Sequence, residues 1–418
     1  MLGRALKVRV GRESTAGTTA TNMLDLIVEG EQLPLGELGH EMLPNERSSP
    51  LQRDNAAMVR GLKRRSPVKL AMVAKYPPSQ LGAAATAPGA IDSASALSQE
   101  LVLEHWLGAR VAGRGSTVVS SADVRTVTVT TGHGTRFTVG MVVPVQVAGV
   151  YHLREITAIA TDALSLFPDL PGSPATGQLV LGGRTYYRPE SQTHTLTIEA
   201  ANTESGTPTA QQRARMVRGQ CAWTAEIGAR AMLAFDGVAQ DHDGPDDLGL
   251  TSTVVDDDMG ADVLWAGVEG GAAASFIFPT ADASNPTHTC LESIAVTAPN
   301  GWREQLCMSG VNGAAGVLNT GGRTADTLEL SATWDSAGVS LVNAFAAGTV
   351  FTFLSYATRG SGTSQAWAGW YARRMAFDAQ PSRVVKDGEV LVVCKFRCLA
   401  NLDGTTEASR SPLSYFIC

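Results

Sequence analysis

The chain has 418 residues, a formal net charge of −7 and only 17% charged residues. That length predicts two to three domains rather than one core, and the charge content lies below the average of about 25%. An acidic, low-charge chain excludes a protein that grips nucleic acid through a basic stripe, though not one that lets nucleic acid pass.

Glycine is abundant, at 43 residues, a composition suited to a protein that hides much of its surface in an assembly. There is no run of 18 or more apolar residues, so no membrane-spanning helix is expected. The first ten residues alternate basic and apolar side chains instead of forming an apolar signal core, which reads as a protein made and kept in a cytoplasm. The six cysteines include no Cys-x-x-Cys pair and read as reduced, mostly buried thiols. Cys394 and Cys398 fall on one face of an expected strand; small core residues explain them better than a metal pair.

In chain order, residues 6–10 and 23–29 read as strands around a turn-rich loop. Residues 44–66 are polar and irregular and contain the densest basic cluster, with Lys63, Arg64 and Arg65. Residues 68–76 form a strand stopped by Pro77-Pro78, and 79–95 read as an extended loop. The best helix of the first half spans 98–108. Ser98 caps it, Leu101, Val102, Leu103, Trp106 and Leu107 give an apolar face, and Gly108 stops it. One such helix among strands suggests a sheet covered on one side.

Residues 124–188 read as a compact all-β unit, with strands at 125–130, 141–147, 155–160, 163–167, 178–181 and 185–187 separated by Gly and Pro. It has the size of a small barrel inserted into a larger domain. A strand at 194–200 follows, then a long pair at 216–227 and 229–238. Long strands that expose an edge invite pairing with another chain.

From Ala231 to Trp302 there is no Lys or Arg against twelve acidic residues, nine of them Asp between Asp236 and Asp262. The simplest reading is a solvated connector. Within it, Asp241-His242-Asp243-Gly244-Pro245-Asp246-Asp247 has the alternating oxygens of a calcium loop, but Pro245 and the missing terminal Glu depart from the EF-hand pattern. Beyond it, strands are expected at 290–298, 327–334, 349–358, 367–377 and 389–399 and a helix at 339–347. Two halves that each set one helix against a sheet suggest duplication at the level of architecture.

The expected organisation is therefore a first β domain of residues 1–123 plus 189–240, an inserted barrel at 124–188, an acidic connector at 241–285 and a second β domain at 286–418. No phosphate-binding loop, nucleophile elbow or zinc-binding helix motif occurs. His133, between Gly132 and Gly134, reads as a turn residue rather than a base. No catalytic residue, metal ligand or cofactor site is singled out, and a non-enzymatic protein is expected.

Taken in order, several segments resemble the tail tube proteins of long-tailed bacteriophages. They are the opening from Leu6 to Thr18, the helix Glu100-Leu101-Val102-Leu103-Glu104-His105-Trp106-Leu107-Gly108, and the inserted unit with Gly134-x-x-Phe137-x-Val139-Gly140 and Tyr186-Tyr187-Arg188-Pro189. Leu196-Thr197-Ile198-Glu199 and the strand pair from Gly219 to Phe235 complete the set. The likeness covers most of residues 1–240 and, more loosely, 286–404. It implies a mainly β fold of two tail-tube-type sandwich or barrel domains, each flanked by a helix, with a small inserted barrel. It further implies a virion subunit, made in the host cytoplasm, that assembles with itself into stacked rings around a channel for double-stranded DNA. Tape-measure, tail-terminator and baseplate proteins are the implied partners.

Three copies per ring follow if both halves are tube domains, and six if only one is. Asp256, Asp257 and Asp258 are candidate lumen residues, since an acidic wall repels phosphates. Lys63, Arg64 and Arg65 have two readings, a loop that pairs with acids of a stacked ring or a solvated loop. A distal tail, baseplate or tube-initiating ring is the alternative reading. A β-sandwich carbohydrate-binding protein is a further one, against which the 6% aromatic content argues.

Overall fold

The structure is a computed structural model that describes residues 6–29, 40–44, 58–63, 66–76, 98–113, 115–190, 194–202, 209–243, 250, 262–265, 274–279, 287–288, 291–300, 302–311, 314–319, 325–360 and 365–418. The chain is mainly β, with three α-helices and a small closed six-stranded barrel among these residues. The candidate residues Asp256, Asp257, Asp258, Arg64 and Arg65 lie outside them. Lys63 ends the strand Met58–Lys63, which pairs with His40–Pro44. The region expected to be irregular thus contains a hairpin; its mixed polar sequence hides the alternation that would have announced it.

The organising strand is Thr209–Glu226. Its first part pairs with Leu196–Asn202, its last part with Met232–Ala239 on one side and with Leu291–Thr297 on the other. From there the sheet continues through Thr327–Thr333 to Glu389–Leu399. One cross-strand row illustrates the burial logic. Met72, Leu233, Trp223, Val296, Leu328 and Phe396 stand opposite one another in sequence across six strands, and all are buried. One residue along, the row is Ala71, Ala234, Ala222, Thr297, Thr327 and Arg397, on the outward face. A period of two assigns each neighbour to opposite faces, so this alternation fixes the register of every strand at once.

The two halves share one pairing scheme. In the first, Leu6–Arg12 pairs with Leu24–Leu26 and with Leu196–Asn202, which pairs with Thr209–Glu226, then Met232–Ala239, then Ser66–Val73, and Glu29 bridges to Ala71. In the second, Ala274–Pro279 pairs with Thr287–His288 and with Phe351–Arg359. That strand pairs with Ala366–Phe377, then Glu389–Leu399, then Thr327–Thr333, on which Leu291–Thr297 lies. In both, the helix follows the same member of the series, after Ser66–Val73 and after Thr327–Thr333. No residue-level repeat accompanies this correspondence, because pairing depends on alternation and length rather than on particular side chains.

The first helix is Ser98–Leu107, stopped by Gly108 at φ 111° as expected. Instead of covering a sheet with one apolar face, it is enclosed: Ser98, Gln99, Glu100 and His105 are buried along with Val102, Leu103, Trp106 and Leu107. The second helix, Ser336–Ala346, begins three residues before the expected start because Asp335 caps it, accepting from the Gly338 amide at 2.9 Å.

Four tryptophans remote in sequence meet at the centre. Trp223 lies edge-on to Trp265 and Trp370 at 5.2 and 5.7 Å, and Trp370 contacts Trp106 at 5.5 Å and Tyr415 at 4.9 Å. Trp265 and the buried Val263 and Ile277 belong to the stretch expected as a solvated connector, so its described parts are built into the core.

The barrel strands run from Ser116–Ala122 to Leu179–Leu181. Ser116–Ala122 was hidden by its serines, and Arg184–Tyr187, expected to close the barrel, pairs instead with Ala109–Ala112 and Ser414–Ile417. Both faces of that strand are buried, which suits the interior of a sheet and not a barrel wall with one exposed face. The barrel is docked firmly on the body. Tyr151 meets Trp367 edge-on at 5.2 Å, Glu155 accepts from Tyr371 and Arg373 at 2.7 and 2.9 Å, and the Arg373 guanidinium lies 3.4 Å over the Phe167 ring.

Gly140, at φ 93°, approaches so closely that a Cβ there would sit 2.6 Å from that of Ala408. Gly140→Ala is therefore expected to lower stability by about 1–3 kcal/mol through overpacking. Trp223→Ala is expected to cost about 3–5 kcal/mol, whereas Leu402→Ala, at an 80% exposed position, should fall within about 0.5 kcal/mol of the parent. Urea unfolding followed by tryptophan fluorescence measures the first and third; circular dichroism serves for the tryptophan variant.

Candidate functional site

Ionisable side chains gather in one place, the seam where the buried helix meets the first-half strands. Glu100 accepts from Arg184 and from Arg110, and Glu104 accepts from Arg12 at 2.9 Å. Burial pushes the Glu100 carboxyl upward, against the pull of Arg184 and Arg110. Arg12 also donates to a ring nitrogen of His194 at 2.9 Å. On the next strand, Glu199 accepts from Arg213 at 2.7 Å and Arg9 at 3.3 Å.

Glu13 occupies the turn-side end of this seam. Its carboxylate accepts from the Met216 amide at 2.8 Å, the Gly17 amide at 2.8 Å and the hydroxyls of Thr195 and Thr197 at 2.6 and 3.0 Å. Met216 is the bulged residue of the long strand, with φ 51° and a register shift against Leu196–Asn202. A methionine in the left-handed region costs on the order of 1–2 kcal/mol, which four hydrogen bonds to one buried carboxylate offset.

His105 is fully enclosed. Its Nε2 accepts from the Gly219 amide at 3.2 Å, and Phe235 lies edge-on at 6.0 Å. Burial, with Arg218 and His194 nearby, pulls its pKa down to about 3, so it is a neutral acceptor at physiological pH. Asn300 binds the carbonyls of Trp106 and Gly219 at 3.1 Å each, and Arg188 binds the carbonyl of Ala298 and the side chain of Asn300 at 3.1 and 2.9 Å. The acids, bases and imidazoles of this seam are directed at backbone and at each other. Such a network fixes the position of the helix; it has no nucleophile aimed into solvent and no acid–base pair across a cleft.

The other residues considered from sequence are similarly committed. His133 accepts or donates with Thr117 at 2.9 Å in a loop held by Asp162, which accepts from Gly132 and Gly134 amides at 3.0 and 2.8 Å. Asp241, the first oxygen of the calcium-like run, lies in the strand Asp241–Asp243 and binds Arg215 at 2.7 Å. Cys394 and Cys398 are buried free thiols, and burial pushes the Cys394 thiol up to about 11. Among the described residues, no group of three or more His, Cys, Asp or Glu is placed to hold a metal ion.

Part of what remains exposed is sheet. The outward face of the six-strand sheet carries Ala222, Thr224, Ala234 and Thr297, and its charges face opposite charges: Lys69 stands across from Asp236 and Glu329 across from Lys395. Arg397 binds Asp378 at 2.7 Å. Sequence alone did not single out this face, because it is assembled from strands of both halves. Ser382–Lys386 is exposed at every residue, with Val384 and Val385 at 45% and 70% exposure.

No protein-family model matches the chain, and a search of curated proteins finds no matching sequence.

The His105 environment yields a signed pH dependence. Unfolded His105 has a pKa near 6.5, so below that value the unfolded state binds a proton the folded state refuses. Its contribution is fully present above about pH 6.5 and is lost as pH falls toward about 3, at a limiting slope of about 1.4 kcal/mol per pH unit. Urea titrations from pH 7 to 4 should show a shallower decline for His105→Gln, which keeps an acceptor for the Gly219 amide. Glu13→Ala should cost about 3 kcal/mol or more, by leaving buried donors at the bulge without an acceptor, and Glu13→Gln less.

Proposed function

We propose that the chain is a structural subunit that assembles with itself into stacked rings, forming the hollow tail tube of a long-tailed bacteriophage through which double-stranded DNA passes. The observation that carries this reading is the sheet running through both halves. It buries one face, presents small residues and cross-paired charges on the other, and ends at the exposed edge Ser382–Lys386. A sheet edge supplies directional backbone hydrogen bonds to another chain, and heterologous contacts that close by rotation make a ring.

The reading assigns the outward face of Ala, Thr and cross-paired charges to the channel wall. A surface without net basic charge has no counterion-release grip on phosphates, so DNA slides past it. Asp256, Asp257 and Asp258 are proposed to add acidic charge to the same wall, and Lys63, Arg64 and Arg65 to meet acids of the stacked ring. Both halves are proposed to be tail-tube units, which makes three copies a pseudo-sixfold ring. The docked barrel then decorates the exterior, and tape-measure, terminator and baseplate proteins cap the ends. The polar seam around Ser98–Leu107 supports a structural role, since its ion pairs and hydrogen bonds hold the helix in place.

Negative-stain electron microscopy of the purified protein over a concentration series tests the proposal. Hollow tubes or stacked rings are expected. Discrete single rings that never stack, at any concentration, would instead support a distal tail or baseplate ring.

A further inference from the structure

The strands Phe351–Arg359 and Ala366–Phe377 pair antiparallel and are buried on both faces for most of their length. Phe353, Trp370 and Ala372 face the central core. Leu354, Tyr356, Trp367 and Tyr371 face the other way, into a separate apolar cluster that they share with Tyr151 and Leu153 of the barrel. By the shared pairing scheme, the first-half equivalents are Leu196–Asn202 and Thr209–Glu226. Their matching face carries an ion pair, Glu199 with Arg213 at 2.7 Å, so the apolar outer face is particular to the half that receives the barrel.

The barrel closes on itself. Its six strands all lie between Ser116 and Leu181, and the buried residues of its own core, such as Val127, Val145 and Leu164, come from that span. The strand pair is in the opposite position. A two-stranded hairpin is marginal in water until a surface covers it, and one that is apolar on both sides has two such faces to cover. Two of its lateral neighbours, Glu389–Leu399 and Ser414–Ile417, lie later in the chain.

The barrel presents a finished surface to this pair. Tyr151, Leu153 and Glu155 alternate along Val150–Ala160 and all meet it: Tyr151 packs on Trp367, Leu153 joins the shared cluster, and Glu155 accepts from Tyr371 and Arg373. The apolar contacts are tolerant of small shifts, whereas the Glu155 contacts are not. A slip of Ala366–Phe377 by one residue would turn Tyr371 and Arg373 to the opposite face and leave the buried carboxylate without these donors.

We infer that the barrel is an intramolecular folding template: it closes first, and Phe351–Arg359 and Ala366–Phe377 then form on its surface in the register that Glu155 selects. Local pairings form ahead of distant ones, and here the local unit carries the imprint of the distant one. The inference concerns a single chain and stands apart from the tail-tube reading, since neither rings nor stacking enter it.

The test refolds the full-length protein from urea and follows each segment by pulsed hydrogen exchange with peptide mass spectrometry. In the parent, peptides from 126–129 and 163–167 are expected to gain protection before peptides from 351–359 and 366–377. Leu153→Ala removes a template contact and spares the barrel's own core, since Leu153 belongs to the shared cluster alone. It is expected to slow protection of the strand pair about fivefold or more, with the barrel's rate within about twofold of the parent. Glu155→Gln is expected to slow the same step by a smaller factor. Met375→Ala, on the core-facing side, is the control, expected to speed unfolding and to leave this refolding step within about twofold.

Protection of the strand pair at or before the time the barrel is protected would overturn the inference. So would a Leu153→Ala chain that passes this step at the parental rate; if that variant does not reach the native state, the same criterion applies to Glu155→Gln.

Discussion

A single buried carboxylate lets one strand serve two sheets. Thr209–Glu226 must leave Leu196–Asn202 midway and turn to meet the second half, and Met216 makes that change of course by entering the left-handed region. Glu13 holds it there from outside the strand, through two amides and two threonine hydroxyls. Without this support the strand would straighten, its alternation would slip past the bend, and Trp223 would leave the tryptophan cluster. The central packing and the link between halves therefore both depend on a polar contact near the beginning of the chain. This is a case where a buried charge specifies geometry, its lone pairs taken up by two amides and two hydroxyls.

The sequence made the repetitive parts of this fold visible. Strands such as Met232–Ala239 and Thr327–Thr333 alternate cleanly, and Gly108 marks the end of the first helix as expected. It concealed what depends on partners. Glu100 and His105 look like the solvent face of a helix until Arg184 and the Gly219 amide are brought beside them. Arg184–Tyr187 follows the barrel in sequence but belongs to the main sheet, because the strand that completes its environment, Ser414–Ile417, lies more than two hundred residues away. The acidic stretch was read by composition, yet Val263, Trp265 and Ile277 anchor parts of it in the core. The candidate wall residues Asp256, Asp257 and Asp258 fall outside the described residues, while the outward sheet face could not be assembled from linear patterns at all.

Much of the chain's charge is spent inside the fold. With 17% charged residues, and many of those committed to internal pairs such as Arg373 with Glu155 and Arg188 with Asp326, few are left to steer partners over long distances. Contacts built on backbone pairing and apolar side chains depend little on ionic strength.

The strand Ser414–Ile417 has a consequence for the order of events in folding. It pairs with Arg184–Tyr187 on one side and with Ala366–Phe377 on the other, so it bolts the base of the barrel to the second half from more than two hundred residues downstream. A growing chain can close the barrel early, from local hairpins, but cannot complete this seam until residue 417 has emerged from the ribosome. Until then, Tyr186, Trp370 and their neighbours lack their final cover. Pairings this distant form slowly and expose sticky edges while they wait. The order of synthesis thus leaves the cover of Tyr186 to a strand made more than two hundred residues after it.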